Sequence, residues 1–509
     1  MTDLSRRNVL ALAGLAGAAT ALAAAPAAAA MRSRDDAVVD TLPRIPEIRS
    51  RNGLLRATLT AQPGPAMING QQVQGLWTYN GRFEGTCLRL NPGDRLELTV
   101  RNRTPVPINT HFHGLWVSPS GVADNVFVAA ASGDSLTSRF DIPSDHDGGN
   151  FWYHPHVHGY TNESVWNGLT GPIIINGGVT ALPRYAGCRD RLLVFKGFRL
   201  DPEAAEPTMQ SVFTAQAQDI QFTVNGAYQP VMALRPRETQ IWRLANTGND
   251  GYLRVSLDDH ELTVLSIDGA PVFDPWTTSE VLLLPGSRAE IAVTGAEKPG
   301  AYALRTLGYN NGRYGQWMPQ VLATVQVGGA MGSTVKPPKS IAKRPGWLDE
   351  KPVKRRDFTL SEAFVDNTPE FYINGEMFGH QDMHDPFEVQ RGTVEEWVFR
   401  NDPAVEDGGV VEGHPIHIHV NHFVVVAVGE WDPKTGKVTK VEKVEAKGLR
   451  DTVDVGPRRF VVLRTKFRRY PGKTVFHCHT LFHEDMGMMG AFTIVEGKPS
   501  GGTGQGHGH

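Results

Sequence analysis

Histidines separated by one residue occur at His111-Phe112-His113, His154-Pro155-His156, His156-Val157-His158, His417-Ile418-His419, His477-Cys478-His479 and His507-Gly508-His509. With eighteen histidines in 509 residues, chance supplies roughly one such pair. On a β-strand, residues i and i+2 point to the same face, so each pair aims two imidazoles at one cavity. A crowd of neutral imidazole nitrogens suits copper. Between residues 159 and 379 the one histidine is His260. That distribution predicts a metal site built between the outer parts of the chain, with the middle part as spacer.

Cys478 sharpens the expectation. Placed between His477 and His479 on a strand, its sulfur faces away from the two imidazoles. His483 and Met488 follow at intervals of five, and His414 opens the preceding motif. Two histidines, a thiolate and a weak axial thioether are the ligand signature of a blue-copper electron-transfer centre. The sequence therefore wires two sites together through the peptide bonds flanking Cys478. Zinc fits poorly, because a closed zinc site gains nothing from an adjacent redox thiolate.

These residues need a scaffold, and the chain repeats itself. An Asn-Gly turn followed by a strand that ends in Asn occurs three times: Asn69-Gly70 with Asn102, Asn225-Gly226 with Asn246, and Asn374-Gly375 with Asn401. The Asn-Gly pairs lie 156 and 149 residues apart, about one β-sandwich each. The 54 glycines and 34 prolines make roughly 17% of the chain against about 12% on average, which favours turn-rich β structure. The predicted fold is all-β, with three tandem Greek-key sandwiches at residues 45–180, 188–330 and 350–497.

The ends read differently. Ser5-Arg6-Arg7 leading into an alanine-rich run to Ala30 describes an export signal over residues 1–30, of the twin-arginine type, and predicts a periplasmic or secreted location. Residues 498–509 read as a disordered tail whose His507 and His509 have no assigned role. A net charge of −3 supplies no electrostatic footprint for nucleic acid. Three cysteines are too few for a disulfide framework, and a bridge between Cys87 and Cys188 stays open.

Four motifs in order, His-Phe-His-Gly at 111–114, Trp-Tyr-His-Pro-His at 152–156, His-Pro-Ile-His-Ile-His at 414–419 and His-Cys-His-Thr-Leu-Phe-His-Glu-Asp-Met-Gly-Met at 477–488, resemble those of the three-domain multicopper oxidases, the laccase-like family. The resemblance covers about Leu54 to Val495. It implies cupredoxin-like domains, a middle one without copper, and four copper ions. Type 1 copper would take His414, Cys478, His483 and Met488, and type 2 copper His111 and His417. The type 3 pair would take His113, His154, His156, His419, His477 and His479. The family pattern leaves His158 at the rim. His422 reads as a packed neighbour, and His146, His260, His380 and His384 carry no role. Asp124 and Glu484 resemble the family's proton-relay carboxylates, with Asp485 as a substitute for Glu484.

The implied activity is oxidation of a small reductant, phenols or aromatic amines, by four one-electron steps coupled to reduction of O2 to two waters. A thioether at Met488 implies a moderate rather than a high oxidising potential. The four acids in the loop 401–413 read first as a solvated loop with no preference, and the alternative is that they favour cationic or amine-bearing donors at the type 1 edge. A cuprous or ferrous ion oxidase is the alternative, weakened because only Met377 and Met383 precede His414 in the third repeat. A copper-free structural relative would lack the ligands, and the three repeats disfavour a copper nitrite reductase.

Overall fold

The computed structural model describes residues 38–312, 315–366, 368–379, 386–402, 412–432 and 435–496. The segment expected to be an export signal, the expected tail, His380, Met383, His384 and most of the acidic loop lie outside the described residues. Six main sheets form three two-layer sandwiches. The first pairs a four-stranded sheet (order Gln71–Tyr79, Leu54–Ile68, Arg95–Asn102, Ser135–Asp141) with a five-stranded one (Glu47–Arg49, Cys87–Leu90, Gly171–Ile175, Gly149–His154, His111–His113). The second and third each pair a six-stranded with a five-stranded sheet. This is the all-β, cupredoxin-like architecture expected.

Alternation builds the layers. Along Leu54–Ile68, residues Leu55, Ala57, Leu59 and Ala61 are buried while their neighbours face outward, the period of two that a half-buried strand requires. Asn69, Asn225 and Asn374 adopt φ of 51°, 54° and 56°, each followed by a glycine at positive φ. That is the left-handed pair that a two-residue hairpin turn needs, which explains why all three repeats use Asn-Gly.

The asparagine ending each repeated strand has a different task. Asn102 donates to the carbonyls of Val106 and Ala130, and Asn246 to those of Gly251 and Leu284. Asn401 donates to those of Glu412 and Val455. In the first and third repeats these bonds pin the loop that delivers the next strand, His111–His113 or His414–Ile418.

The cores are not separate. One apolar cluster joins Ala66, Ile68, Phe83 and Trp166 of the first repeat to Trp242, Tyr252 and Leu283 of the middle one. Cys87 and Cys188 are free thiols. No helix among the described residues is long and apolar enough to cross a membrane.

Candidate metal centre

Strand pairing brings the motifs together. His111–His113 runs antiparallel to Gly149–His154 with His111 opposite His154, and His414–Ile418 runs antiparallel to Gly472–Cys478 with His417 opposite His477. Alternation sends the residues between the histidines the other way. Phe112 enters the first core, and Ile416, Ile418 and Cys478 enter the third, together with Met488.

Eight histidines, His111, His113, His154, His156, His417, His419, His477 and His479, share one buried region. Their nitrogens fall into overlapping groups: His111, His113 and His154; His111, His417 and His419; His156, His419 and His477. Nε2 of His477 lies 3.1 Å from Nε2 of both His156 and His419, and Nε2 of His479 lies 3.3 Å from Nδ1 of His113. Rings from the first and third repeats stack, His111 on His419 and His113 on His417, each at 3.9 Å.

On the far side of the strand, Cys478 Sγ lies 3.8 Å from Nδ1 of His414 and 3.7 Å from Nδ1 of His483, which are 3.2 Å from each other. The backbone N–H of Cys478 donates to the Met488 carbonyl, so the two residues are neighbours in the same core.

The donor set fits copper on its own chemistry. Burial pushes His111, His113, His154, His414, His419 and His479 well below the ordinary imidazole range, which keeps them neutral with a lone pair available. The rings of His111, His154 and His417 are each tied on one side and bare on the other. Nδ1 of His111 meets both Asp124 oxygens at 3.0 Å, that of His154 the Pro155 carbonyl at 2.8 Å, and that of His417 the Asp451 carbonyl at 2.9 Å. Nε2 of His111, His154 and His417 is buried with no hydrogen-bond partner. Bare nitrogens converging on a common centre, with the opposite nitrogens held, is how a protein orients metal-binding imidazoles.

The carboxylates divide. Glu484 is fully buried, with Oε2 3.1 Å from His477 Nδ1 and Oε1 3.6 Å from His156 Nε2, and Thr161 Oγ1 donates to it at 3.0 Å. Burial alone would raise its carboxyl, and contact with His156 and His477 lowers it. Burial pushes Asp124 up to about 7. Asp485 is not a substitute for Glu484: it caps the helix Thr161–Asn167, accepting N–H bonds from Gly159, Thr161 and Asn162 at 2.9, 3.2 and 2.7 Å. Adjacent helical residues point about 100° apart, so only one of the two can face the cluster.

The other described histidines stand elsewhere. His158 packs against Phe378, His422 bridges Trp116 Nε1 and the Asp268 carbonyl, and His146 and His260 bond backbone groups. Sequence reasoning missed Asp451, which forms a further group with His113 and His417, and missed Arg288 and Asp268 behind it. The middle repeat is thus more than a spacer. The one available signal was a pair of charges, Arg288 and Glu290, in a strand, Arg288–Thr294, whose other residues are apolar except Thr294.

Beside His483 opens a cavity of about 480 Å³, lined by Phe364, Phe371 and Phe482 and by three acids, Asp250, Glu362 and Glu412. Glu412 Oε2 lies 3.3 Å from His483 Nε2. Burial, with Glu412 adding like charge, pushes Asp250 up to about 7 and Glu362 up to about 8. Among the described residues no lysine or arginine lines the cavity.

Three sandwiches with imidazoles gathered at the seam of the outer two, and a cysteine sulfur backing onto them, fit the class of copper-dependent oxidases. Three family models, each described as multicopper oxidase, match residues 60–179, 150–327 and 350–498. The chain belongs to the multicopper oxidase family, and is an oxidoreductase with oxygen as acceptor. It is 26% identical to a multicopper oxidase of Staphylococcus haemolyticus over 88% of this chain and 90% of the relative. It is 25% identical to a laccase of Haloferax volcanii over 84% of this chain and 73% of that one. A solved multicopper oxidase from Campylobacter jejuni, described as a metallo-oxidase, superposes with a TM-score of 0.75 at 24% identity, covering 91% of this chain and 96% of that one.

Proposed function

We propose that the protein oxidises small reductants one electron at a time at the cavity beside His483 and couples four such oxidations to conversion of O2 to two waters. The observation that carries this reading is Cys478, whose sulfur meets His414 and His483 on one face of the strand while His477 and His479 enter the imidazole cluster on the other. His414, Cys478, His483 and Met488 would hold type 1 copper, and His111 and His417 type 2 copper. His113, His154, His156, His419, His477 and His479 would hold the type 3 pair. Copper bound at these sites would supply one-electron redox chemistry and the place where O2 is reduced.

The chain's own groups do the rest. His483 presents its Nε2 edge toward the cavity, where Glu412 orients the ring. Burial of the cluster excludes bulk water. Glu484 holds a proton-accepting oxygen against His477, and Thr161 extends that contact outward. Asp124 fixes His111 and, pushed up to about 7, is placed to hold and release a proton near neutrality.

Phenols and aromatic amines are the donors we assign, on the aromatic wall of the cavity. Glu412, joined by Asp250 and Glu362 as pH rises past about 7 and 8, favours donors with a positive charge, and this same observation supports a second reading, oxidation of cuprous or ferrous ions. Export to the periplasm or the medium is the location we infer from residues 1–30. Oxygen uptake by the copper-loaded protein across phenols, aromatic amines, cuprous and ferrous ions tests the assignment. Rapid turnover confined to a metal ion would replace the first reading by the second.

A further inference from the structure

The middle repeat has no histidine in the cluster, yet it sends one side chain to it. Arg288 is buried to 1% exposure, and all five of its N–H groups find acceptors. Nη1 donates to Asp451 Oδ1 at 3.0 Å and to the Gly286 carbonyl at 2.9 Å. Nη2 donates to Asp451 Oδ2 at 2.7 Å and to the Asp268 carbonyl at 2.9 Å, and Nε to the Asn150 carbonyl at 3.2 Å. Those acceptors come from all three repeats.

Asp451 passes the constraint on. Its Oδ1 lies 3.3 Å from Nε2 of His113, leaving Nδ1 of that ring to face His479, and its backbone carbonyl takes Nδ1 of His417 at 2.9 Å. One residue thus orients one imidazole from the first repeat and one from the third. The Asp451 N–H in turn reaches Asp268 Oδ2 at 3.2 Å, and Asp268 Oδ1 accepts the Arg288 backbone N–H at 3.0 Å.

Space around the clamp is kept by two glycines. A Cβ at Gly114, directly after His113, would overlap Arg288 Nη2 and sit 2.8 Å from Asp451 Oδ2. One at Gly286 would sit 2.7 Å from Nε2 of His479.

We propose that Arg288 is a positioning residue for the imidazole cluster: by gripping Asp451 with both ends of its guanidinium, it lets the middle repeat set the orientation of His113 and His417. A lysine, with three donors on a point charge, cannot reproduce the grip. The inference rests on the reading of the cluster as a copper site.

The test compares wild type, Arg288→Met, Arg288→Lys, Asp451→Asn and the Arg288→Met/Asp451→Asn double variant. Each is stripped of metal and reloaded with copper. Copper per chain, the paramagnetic signature of the cluster, chelator competition and blue absorption are read on each. Arg288→Met is expected to lower copper affinity at the cluster 10- to 100-fold, the usual range for groups that orient metal ligands, and to alter its paramagnetic signal. Blue absorption, which reports His414, Cys478 and His483, stays unchanged. Arg288→Lys falls between, and carries the test if Arg288→Met does not fold. The double variant loses no more than about 2-fold beyond Asp451→Asn alone, because the two act as one unit.

Lower thermal stability with unchanged cluster affinity and signal would make Arg288 an interdomain brace only and overturn the proposal. So would losses that multiply in the double variant. A wild type that takes up no copper at the cluster would bring down the copper reading first, and this inference with it.

Discussion

The two candidate copper sites lie back to back on one strand, but they are assembled in opposite ways. His414, Cys478 and His483 come from a stretch of 70 residues inside the third sandwich, and their sulfur and nitrogens converge within that sandwich's own core. The eight-imidazole cluster draws half its rings from the first repeat and half from the third, and the clamp behind it comes from the middle. A site made by one domain depends on local strand register. A site made at a seam depends on how domains dock, and it needs groups that act across hundreds of residues.

Breaking the strand between the sites has the largest expected effect. Cys478→Ser should abolish blue absorption and oxidase turnover while leaving copper in the imidazole cluster, as read by absorption and metal count together. Persistence of the blue band would remove the sulfur from the first site. Next comes Glu484→Gln, which keeps the shape but removes the proton acceptor beside His477. Oxygen reduction should slow by about 100-fold, in the range general acid–base groups contribute, with blue absorption intact. Unchanged turnover would exclude Glu484 from proton delivery.

Arg288→Met should cost the apoprotein about 3–5 kcal/mol of unfolding free energy, because it leaves Asp451 buried without its cation. Denaturant titration reads this. Asp451 is otherwise held well below the usual carboxylate range: burial opposes ionisation, and the adjacent guanidinium outweighs it.

The seam between the first and middle repeats supplies a contrast without metal. Glu84 is buried there, and burial pushes its carboxyl from 4.5 up to about 7 against the pull of Lys196. A raised acid contributes stability that is complete below its unfolded value and lost as pH rises through its folded one. Wild type should therefore lose about 3 kcal/mol between roughly pH 4.5 and pH 8 from this residue, and Glu84→Gln should lack that slope in denaturant titrations. A variant with the same pH slope would contradict it.

The smallest effect is at the donor cavity. Glu362→Gln should raise KM for phenols that carry a quaternary ammonium group several-fold at pH above 8 and leave neutral phenols unchanged, an effect that weakens with salt.

What the sequence made legible follows the same division. Asn69, Asn225 and Asn374 announce hairpins because a two-residue turn demands left-handed backbone. The His-x-His pairs announce a shared cavity because strands have a period of two. Both signals are local. Asp451 and Arg288 are 163 residues apart, and neither carries a pattern that names the other. Asp250 and Glu362 likewise join Glu412 only through folding, so the acidic loop alone understated the charge beside His483. Glu484 and Asp485 differ by one residue on a helix, a distinction in direction that composition does not carry. The shared core of the first two repeats was hidden for a related reason: an inward apolar residue looks the same whichever sandwich it fills.

The most direct test of the whole account is reconstitution of the apoprotein with copper, followed by air oxidation, metal analysis and absorption on one sample. The expected result is four copper ions per chain and an intense blue colour from thiolate ligation. A fully oxidised protein that is colourless, or that retains only one or two copper ions, would contradict the joining of two sites through Cys478.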